Sequence, residues 1–363
     1  MAPTRTPADL HGRTDQFLGR IVRILSDHAM LVVSGTKLAG EIGISRSHLW
    51  RLVQQLRSLG VKIAGHPTTG YRLEAVPDLL LPEVLDPLIT NTMFHGRIQH
   101  YFRVGSTNAL AMQAAQAGDP EGTVLFAEEQ TAGRGRGGHS WHSACSTGIY
   151  VSIVLRPPMG PVNVLALSLM AGIAAAAAVE QVTGLKPDLR WPNDLLLSRT
   201  PYPGEDAVSE SRKFCGILTE LNAELTRVRF AVVGMGMNVN QQDFPQDLLT
   251  TATSLRVETG RQWSRVELAS ALLQSFDHEY RTLTGAQPGI TAALERPAID
   301  TRAALFRRFE EISSYARGRR VHVDENGGYT GITEGLDAHG FLLVRADDGT
   351  LRTVLSGGVR LIP

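Results

Sequence analysis

Leu165–Val179 constrains this chain more than any other stretch: fifteen residues, apolar apart from Ser168 and Gly172. A helix apolar on every side has to be enclosed by other elements. Fifteen residues fall short of the ~20 needed to cross a bilayer, so a buried core helix is expected and no membrane contact. With 363 residues the chain exceeds what one core organises, and two or three domains follow. Met1–His11 is polar and holds no apolar signal-peptide segment. Cys145 and Cys215 are too few for a disulfide framework. A cytoplasmic protein with inert, buried thiols is expected.

The net charge of zero is unevenly spread. Residues 1–75 hold ten Lys/Arg and five Asp/Glu, leaving +5 there and −5 on the remainder. A basic end on an acidic body points to a polyanion met by the amino-terminal part alone. Residues 15–73 read as a winged helix-turn-helix: a helix over 15–30, a short one over 36–41, a turn at Gly43, and a third helix capped by Ser45 and ending at Gly60. Two short strands, 61–63 and 71–73, flank a wing turn over 65–70. In the third helix Leu49, Leu52, Val53, Leu56 and Leu59 share one face, leaving Arg46, Arg51, Gln54 and Arg57 outward. No acidic residue lies between Gly43 and Leu73. The expected partner is operator DNA, bound through residues 15–73 with the third helix in the major groove. Ser45, Arg46, Arg51 and Gln54 would face bases or phosphates. A three-helix packing unit that never meets DNA is the competing reading.

The rest divides into a linker over 76–97, a mixed α/β domain over 98–315 and a carboxy-terminal segment over 316–363; residues 1–75 form the winged-helix domain. Strands are expected over 123–127, 149–155, 216–221 and 229–234, and helices over 107–117, 162–182 and 265–284. Residues 204–212, acidic and serine-containing, read as a surface insertion. The last segment has short alternating strands separated by dense turn signals, a pattern of small SH3-like β-barrels. The whole is an α+β multidomain chain.

Five clusters carry chemistry. Residues 130–141, Gln-Thr-Ala-Gly-Arg-Gly-Arg-Gly-Gly-His-Ser-Trp, combine exposed backbone amides with the forked cations Arg134 and Arg136. Such a loop suits phosphate or carboxylate oxygens, or is simply a solvated basic loop. Ser106-Thr107-Asn108 can hydrogen-bond a small polar ring, and can equally cap a helix. Arg190-Trp191-Pro192-Asn193-Asp194 sets a cation, an amide and a carboxylate around a proline bend, or is a turn held by Asn and Asp. Lys213-Phe214-Cys215-Gly216-Ile217-Leu218 opens a strand with a lysine and a close-approach glycine. Gly234-Met235-Gly236-Met237-Asn238 ends another strand with a turn.

In this order the five clusters resemble the biotin protein ligases, and the winged helix narrows the resemblance to the bifunctional ligase and biotin operon repressors. It covers residues 20–363. The resemblance implies a class II synthetase-like α/β ligase domain with biotin as substrate, ATP and Mg2+ as cofactors, and no bound prosthetic group. Ser106, Thr107, Asn108, Gln130, Arg134, Gly135, Arg136, Lys213 and Gly216 would contact biotin. Arg134, Arg136, Asn193 and Asn238 would meet the nucleotide, and Asp194 its metal. Arg134, Arg136, Arg190 and Lys213 would stabilise charge on the reacting phosphoryl group, and Trp141 would pack beside the loop as structure. These cations should converge on one cavity sized for a vitamin joined to a nucleotide.

The implied partners are the biotin carboxyl carrier domain of a carboxylase such as acetyl-CoA carboxylase, operator DNA, and a second copy of the chain once biotinyl-5′-AMP is bound. Two positions depart from the family pattern. Arg190 stands where lysine is common, keeping the charge with a different reach, and Gly137 replaces a frequent third arginine. A lipoate-type ligase and a catalytically impaired biotin-sensing repressor are the alternatives.

Overall fold

The computed structural model describes residues 7–28, 31–66, 69–75, 78–198, 211–249, 251–285, 299–355 and 358–362. The insertion expected over 204–212 lies outside them save for Ser211 and Arg212, as does the tip of the wing.

The amino-terminal unit is α1 (Pro7–Asp27), α2 (Gly35–Ile42), α3 (Arg46–Ser58) and a hairpin of β1 (Ile63–His66) and β2 (Gly70–Leu73). Ser45 caps α3 by accepting from the His48 amide at 3.2 Å. Gly43, at φ 79°, takes the left-handed turn that separates α2 from α3. The inward faces close a small core of Leu18, Leu25, Leu38, Leu52, Val53 and Leu56.

That core is not self-contained. Leu79 and Leu81 from the following segment, and Phe102 from the central domain, are part of it. Leu80, between them, turns the other way into the central core. An extended strand alternates its side chains, so one tripeptide is stapled into two cores. Each buried leucine is worth about 1.5–3 kcal/mol, which makes the segment more than a tether. It continues into the single turn α4 (Pro82–Leu85).

The central domain runs β3 (Ile98–Tyr101), α5 (Thr107–Ala117), β4 (Val124–Ala127), β5 (Gly148–Leu155), α6 (Leu165–Thr183), β6 (Asp188–Arg190), β7 (Asp194–Ser198), β8 (Ser211–Ala223), β9 (Val228–Asn238), α7 (Leu255–Thr259), α8 (Arg265–Thr284) and α9 (Ile299–Ile312). Its seven strands lie in the order β3-β4-β5-β9-β8-β7-β6. Only β3 and β4 are parallel; the remaining neighbours are antiparallel. Helix α5 covers one face, and α6 with α8 and α9 the other. Over residues 161–183 the chain is long and apolar enough to cross a membrane by composition, but 78% of its apolar 18-residue window is buried inside the protein. The Gly-Met-Gly-Met-Asn segment differs from expectation: β9 continues through Asn238, so its glycines sit in the sheet and not in a turn.

The carboxy-terminal strands β10 (Arg317–Val323), β11 (Tyr329–Leu336), β12 (Leu342–Ala346), β13 (Leu351–Val354) and β14 (Val359–Leu361) form an antiparallel sheet in the order β13-β12-β11-β10-β14. Among the described residues β13 and β14 do not pair, so the strands form a sheet and not a closed barrel. The Trp191 indole N–H donates to Gly340 O at 2.9 Å and joins this sheet to the central domain.

A buried ionic cluster ties the pieces together. Arg265, 1% exposed, donates to Glu128 Oε2 at 2.7 Å, to Gly148 O at 3.1 Å and to Asp78 O. Glu128 Oε1 accepts from the Leu80 amide and from His100 Nε2, each at 3.1 Å. Burial pushes the Glu128 carboxyl up, but attraction to Arg265 and the His100 hydrogen bond outweigh it and hold the group at about 2, below its ordinary 4.5. Such a group stabilises the fold above its unfolded-state pKa and loses that contribution as pH falls toward the folded value. Glu128→Gln is expected to lower the unfolding free energy by about 3–5 kcal/mol at pH 7, because the buried Arg265 guanidinium loses its one buried carboxylate and keeps only the partly exposed Asp78. Urea titrations of the wild type should show stability falling from about pH 4.5 toward pH 2, and the variant should lack that part of the slope.

Candidate active site

Strands β8 and β9 pair Gly216 opposite Gly236 and Leu218 opposite Gly234. The missing side chains leave a trough on the sheet. A Cβ built at Gly236 would lie 2.3 Å from Trp141 Nε1, one at Gly216 2.9 Å from the same ring, and one at Gly234 1.9 Å from Asn108 Oδ1. Glycine is required here by close approach: the indole and the Asn108 amide lie directly on the backbone.

The loop that delivers Trp141 is held at three points. Arg134 pairs with Glu220 at 3.3 Å, Arg136 donates to Asn193 Oδ1 at 3.1 Å, and Trp141 lies on the two glycines. Burial lowers the Arg136 pKa, and Asp194 opposes that shift. Lys213 Nζ stands 5.4 Å from the Trp141 ring centroid, within cation–π range. The Trp141 Nε1–H is buried and has no acceptor. An orphaned donor facing a hollow is a place for a ligand acceptor.

A polar network closes the other end. Gln130 Oε1 accepts from the Thr107 amide at 2.8 Å and from its hydroxyl at 3.1 Å, while Gln130 Nε2 donates to Ser143 at 2.9 Å. Ser152 Oγ donates to Asn108 Oδ1 at 2.6 Å, and Asn108 Nδ2 donates to Glu220 at 2.9 Å. Ser106 caps α5 and lines the hollow as well, so capping and lining are not exclusive.

The expected residues Ser106, Thr107, Asn108, Gln130, Arg134, Gly135, Arg136, Asn193, Lys213 and Gly216 all line this one hollow. Four expectations need correction. The hollow, which opens to solvent, has a volume of about 40 Å3, room for a few waters, whereas small-molecule pockets hold about 300–1,000 Å3. Trp141 and Arg136 occupy part of the lining, and the space left beside them is too small for the expected ligand as the loop now sits. Asn238 lies outside the lining, buried, with its amide spent on Thr253 O at 3.0 Å and on Gln241 at 3.2 Å; it holds structure. Arg190 also stands outside, reaching the site through Asp194 at 2.6 Å.

Asp194 itself is a poor metal ligand. Lys213 lies 2.5 Å from one of its oxygens and Arg190 2.6 Å from the other. Burial raises the Asp194 pKa, but the two cations outweigh it and lower the group. Among the described residues no group of three or more His, Cys, Asp or Glu is placed to hold an ion.

Glu220, Ser143 and Ser152 were missed by sequence reasoning. A lone serine within the apolar strand Gly148–Leu155 was the available signal for Ser152.

In the winged helix, Arg46, Trp50, Gln54 and Arg57 line a groove between α3 and the wing, with Ser34, Thr36 and Tyr71 opposite. Arg57 is not merely outward: its Nε and Nη2 donate to Ile63 O at 3.0 and 2.9 Å and fasten α3 to β1. Arg51 is exposed but lies outside the groove, and Ser45 is engaged as a cap.

Residues 102–238 match the model of the biotin/lipoate A/B protein ligase family. Residues 18–72 match an HTH domain, and 318–361 a biotin protein ligase C terminal domain. The bifunctional ligase/repressor BirA of Bacillus subtilis is 32% identical over 345 residues, covering 94% of this chain and 97% of that protein. The chain belongs to the biotin protein ligase family. A biotin–[acetyl-CoA-carboxylase] ligase of Mycobacterium tuberculosis is 33% identical over 263 residues, 70% of this chain and 85% of its own length. The Aquifex aeolicus biotin protein ligase in complex with biotin and ATP superposes with a TM-score of 0.57 at 27% identity, covering 74% of this chain and 99% of that one.

Within this ligase fold the glycine trough yields a direct test. Gly236→Ala should unseat Trp141, giving red-shifted, more quenchable tryptophan emission. Ligase turnover should fall by up to about 100-fold. Unchanged emission with unchanged turnover would show that the ring does not depend on the trough.

Proposed function

We propose that the protein is an ATP-dependent biotin protein ligase that also represses transcription. The carrying observation is the convergence of Arg134, Arg136 and Lys213 with the Thr107–Gln130 network on one hollow. Biotin binds with its ring on Ser106, Thr107, Asn108 and Gln130, over Gly216 and beneath Gly135. Its carboxylate attacks the α-phosphorus of ATP and expels pyrophosphate, forming biotinyl-5′-AMP. Two anions meet in this step, and preplaced cations stabilise the charge on the phosphoryl oxygens. Arg134, Arg136 and Lys213 are those cations; Arg190 acts through Asp194, which Lys213 shares. Asn193 holds Arg136 and faces the nucleotide.

The small space left beside the loop supports a gating role. The loop lifts to admit substrates and reseats to keep water from the mixed anhydride. An acceptor lysine of a biotin carboxyl carrier domain then attacks the acyl carbon, and AMP leaves. Magnesium belongs with the nucleotide phosphates, since Asp194 is already engaged by two cations.

The finer architecture follows the same reading. Units over 1–75, 98–315 and 316–363 are joined by 76–97, the central one a class II synthetase-like fold and the last an SH3-like fold whose sheet, among the described residues, is left open between β13 and β14. The winged helix binds operator DNA in the cytoplasm as a homodimer, which biotinyl-5′-AMP favours to the extent that it prefers the dimer.

Incubation with biotin, MgATP and an apo carrier domain should give a streptavidin-positive carrier. Competition by lipoate, or no labelling, would favour the alternatives. Arg190→Ala should slow biotin-dependent pyrophosphate release by about tenfold or more. Operator affinity should rise with biotin and ATP together; equal affinity with and without them would remove the coupling.

A further inference from the structure

Trp50 sits on a helix face that is otherwise polar. Its side chain is 55% exposed at the middle of α3, while Leu49, Leu52, Val53 and Leu56 on the opposite face are buried. The indole takes no part in the apolar core beneath. Arg46, Trp50 and Gln54 follow one another at four-residue intervals and therefore form one stripe along the helix. All three line the groove beside the wing, together with Ser34, Thr36 and Arg57. A single exposed apolar residue needs no explanation; one flanked along its stripe by Arg46 and Gln54 does.

We propose that Trp50 reads thymine methyl groups on the floor of the major groove and is a specificity-determining residue of the operator contact. The inference rests on the DNA-binding reading of α3 given above. The groove carries cationic Arg46 and Arg57 and no acidic side chain, which selects a polyanion as occupant. Within a duplex the bases keep their faces stacked, so an indole entering the major groove cannot lie on them. Base edges there offer hydrogen-bonding groups to Arg46 and Gln54, and one apolar group, the C5-methyl of thymine. Trp50 lies between those two polar readers on the stripe. Its contact is worth one methyl group removed from water, about fourfold in affinity per thymine.

The test uses the full chain with biotin and MgATP. Duplexes are selected from a random-sequence library, and the tightest is resynthesised with deoxyuridine replacing thymidine at one position at a time. The wild type should lose about fourfold at one or two positions. Trp50→Ala should bind the thymidine and deoxyuridine forms of those positions equally, with ligase turnover unchanged as the check on folding. Trp50→Phe should keep part of the discrimination, and carries the comparison if the alanine variant binds too weakly to measure. A penalty of the same size in Trp50→Ala, or none in the wild type, overturns the proposal. If no duplex is selected, or an acidic protein occupies the groove instead, the DNA reading itself has failed.

Discussion

A guanidinium in a dry interior is tolerated only where its charge is matched. Arg265 is matched by Glu128 and Asp78, and its Nη groups donate to Glu128 and to the Gly148 and Asp78 carbonyls. The match is local in space but distant in sequence: it joins the start of α8, the end of β4, the start of β5 and the segment entering from the winged helix. Because Glu128 also accepts from Leu80 and His100, one carboxylate fixes where the amino-terminal unit leaves the central domain. Two residues further along, Gln130 begins the loop that covers the hollow. Misplacement of Glu128 would thus be felt both at the winged-helix junction and at the site.

The site depends on absence of side chains as much as on their presence. Gly216, Gly234 and Gly236 leave the sheet bare where Trp141 and Asn108 lie on it. The ring supports Lys213 from below, and Lys213 with Arg190 brackets Asp194. As the loop sits, Arg134 pairs with Glu220, Lys213 and Arg190 with Asp194, and Arg136 with the Asn193 amide oxygen.

Arginine at position 190 takes on meaning in this geometry. It does not reach the hollow; it neutralises Asp194 from outside while Lys213 does so from within. A lysine there would supply the same charge, but arginine's fork lets it hold a carboxylate and still present donors outward.

Periodicity alone determined a good deal: the three helices of the winged unit, the buried α6, and helices α5 and α8 at their observed limits. It did so because helix and strand faces are set by neighbours within a few residues. The Gly/Arg loop and Ser106–Asn108 stood out in the sequence because their chemistry lies in consecutive residues, and the fold brings both to one hollow. Sequence could not say that β9 runs on through Asn238, that this amide is consumed by Thr253, or that Asp194 is claimed by two cations. It could not show Glu220 and Ser152 beneath Asn108 either. Those outcomes depend on which strands pair and in what register, and on how much room a neighbour leaves. Only the folded sheet, with β8 against β9 and Trp141 laid across their glycines, decides them.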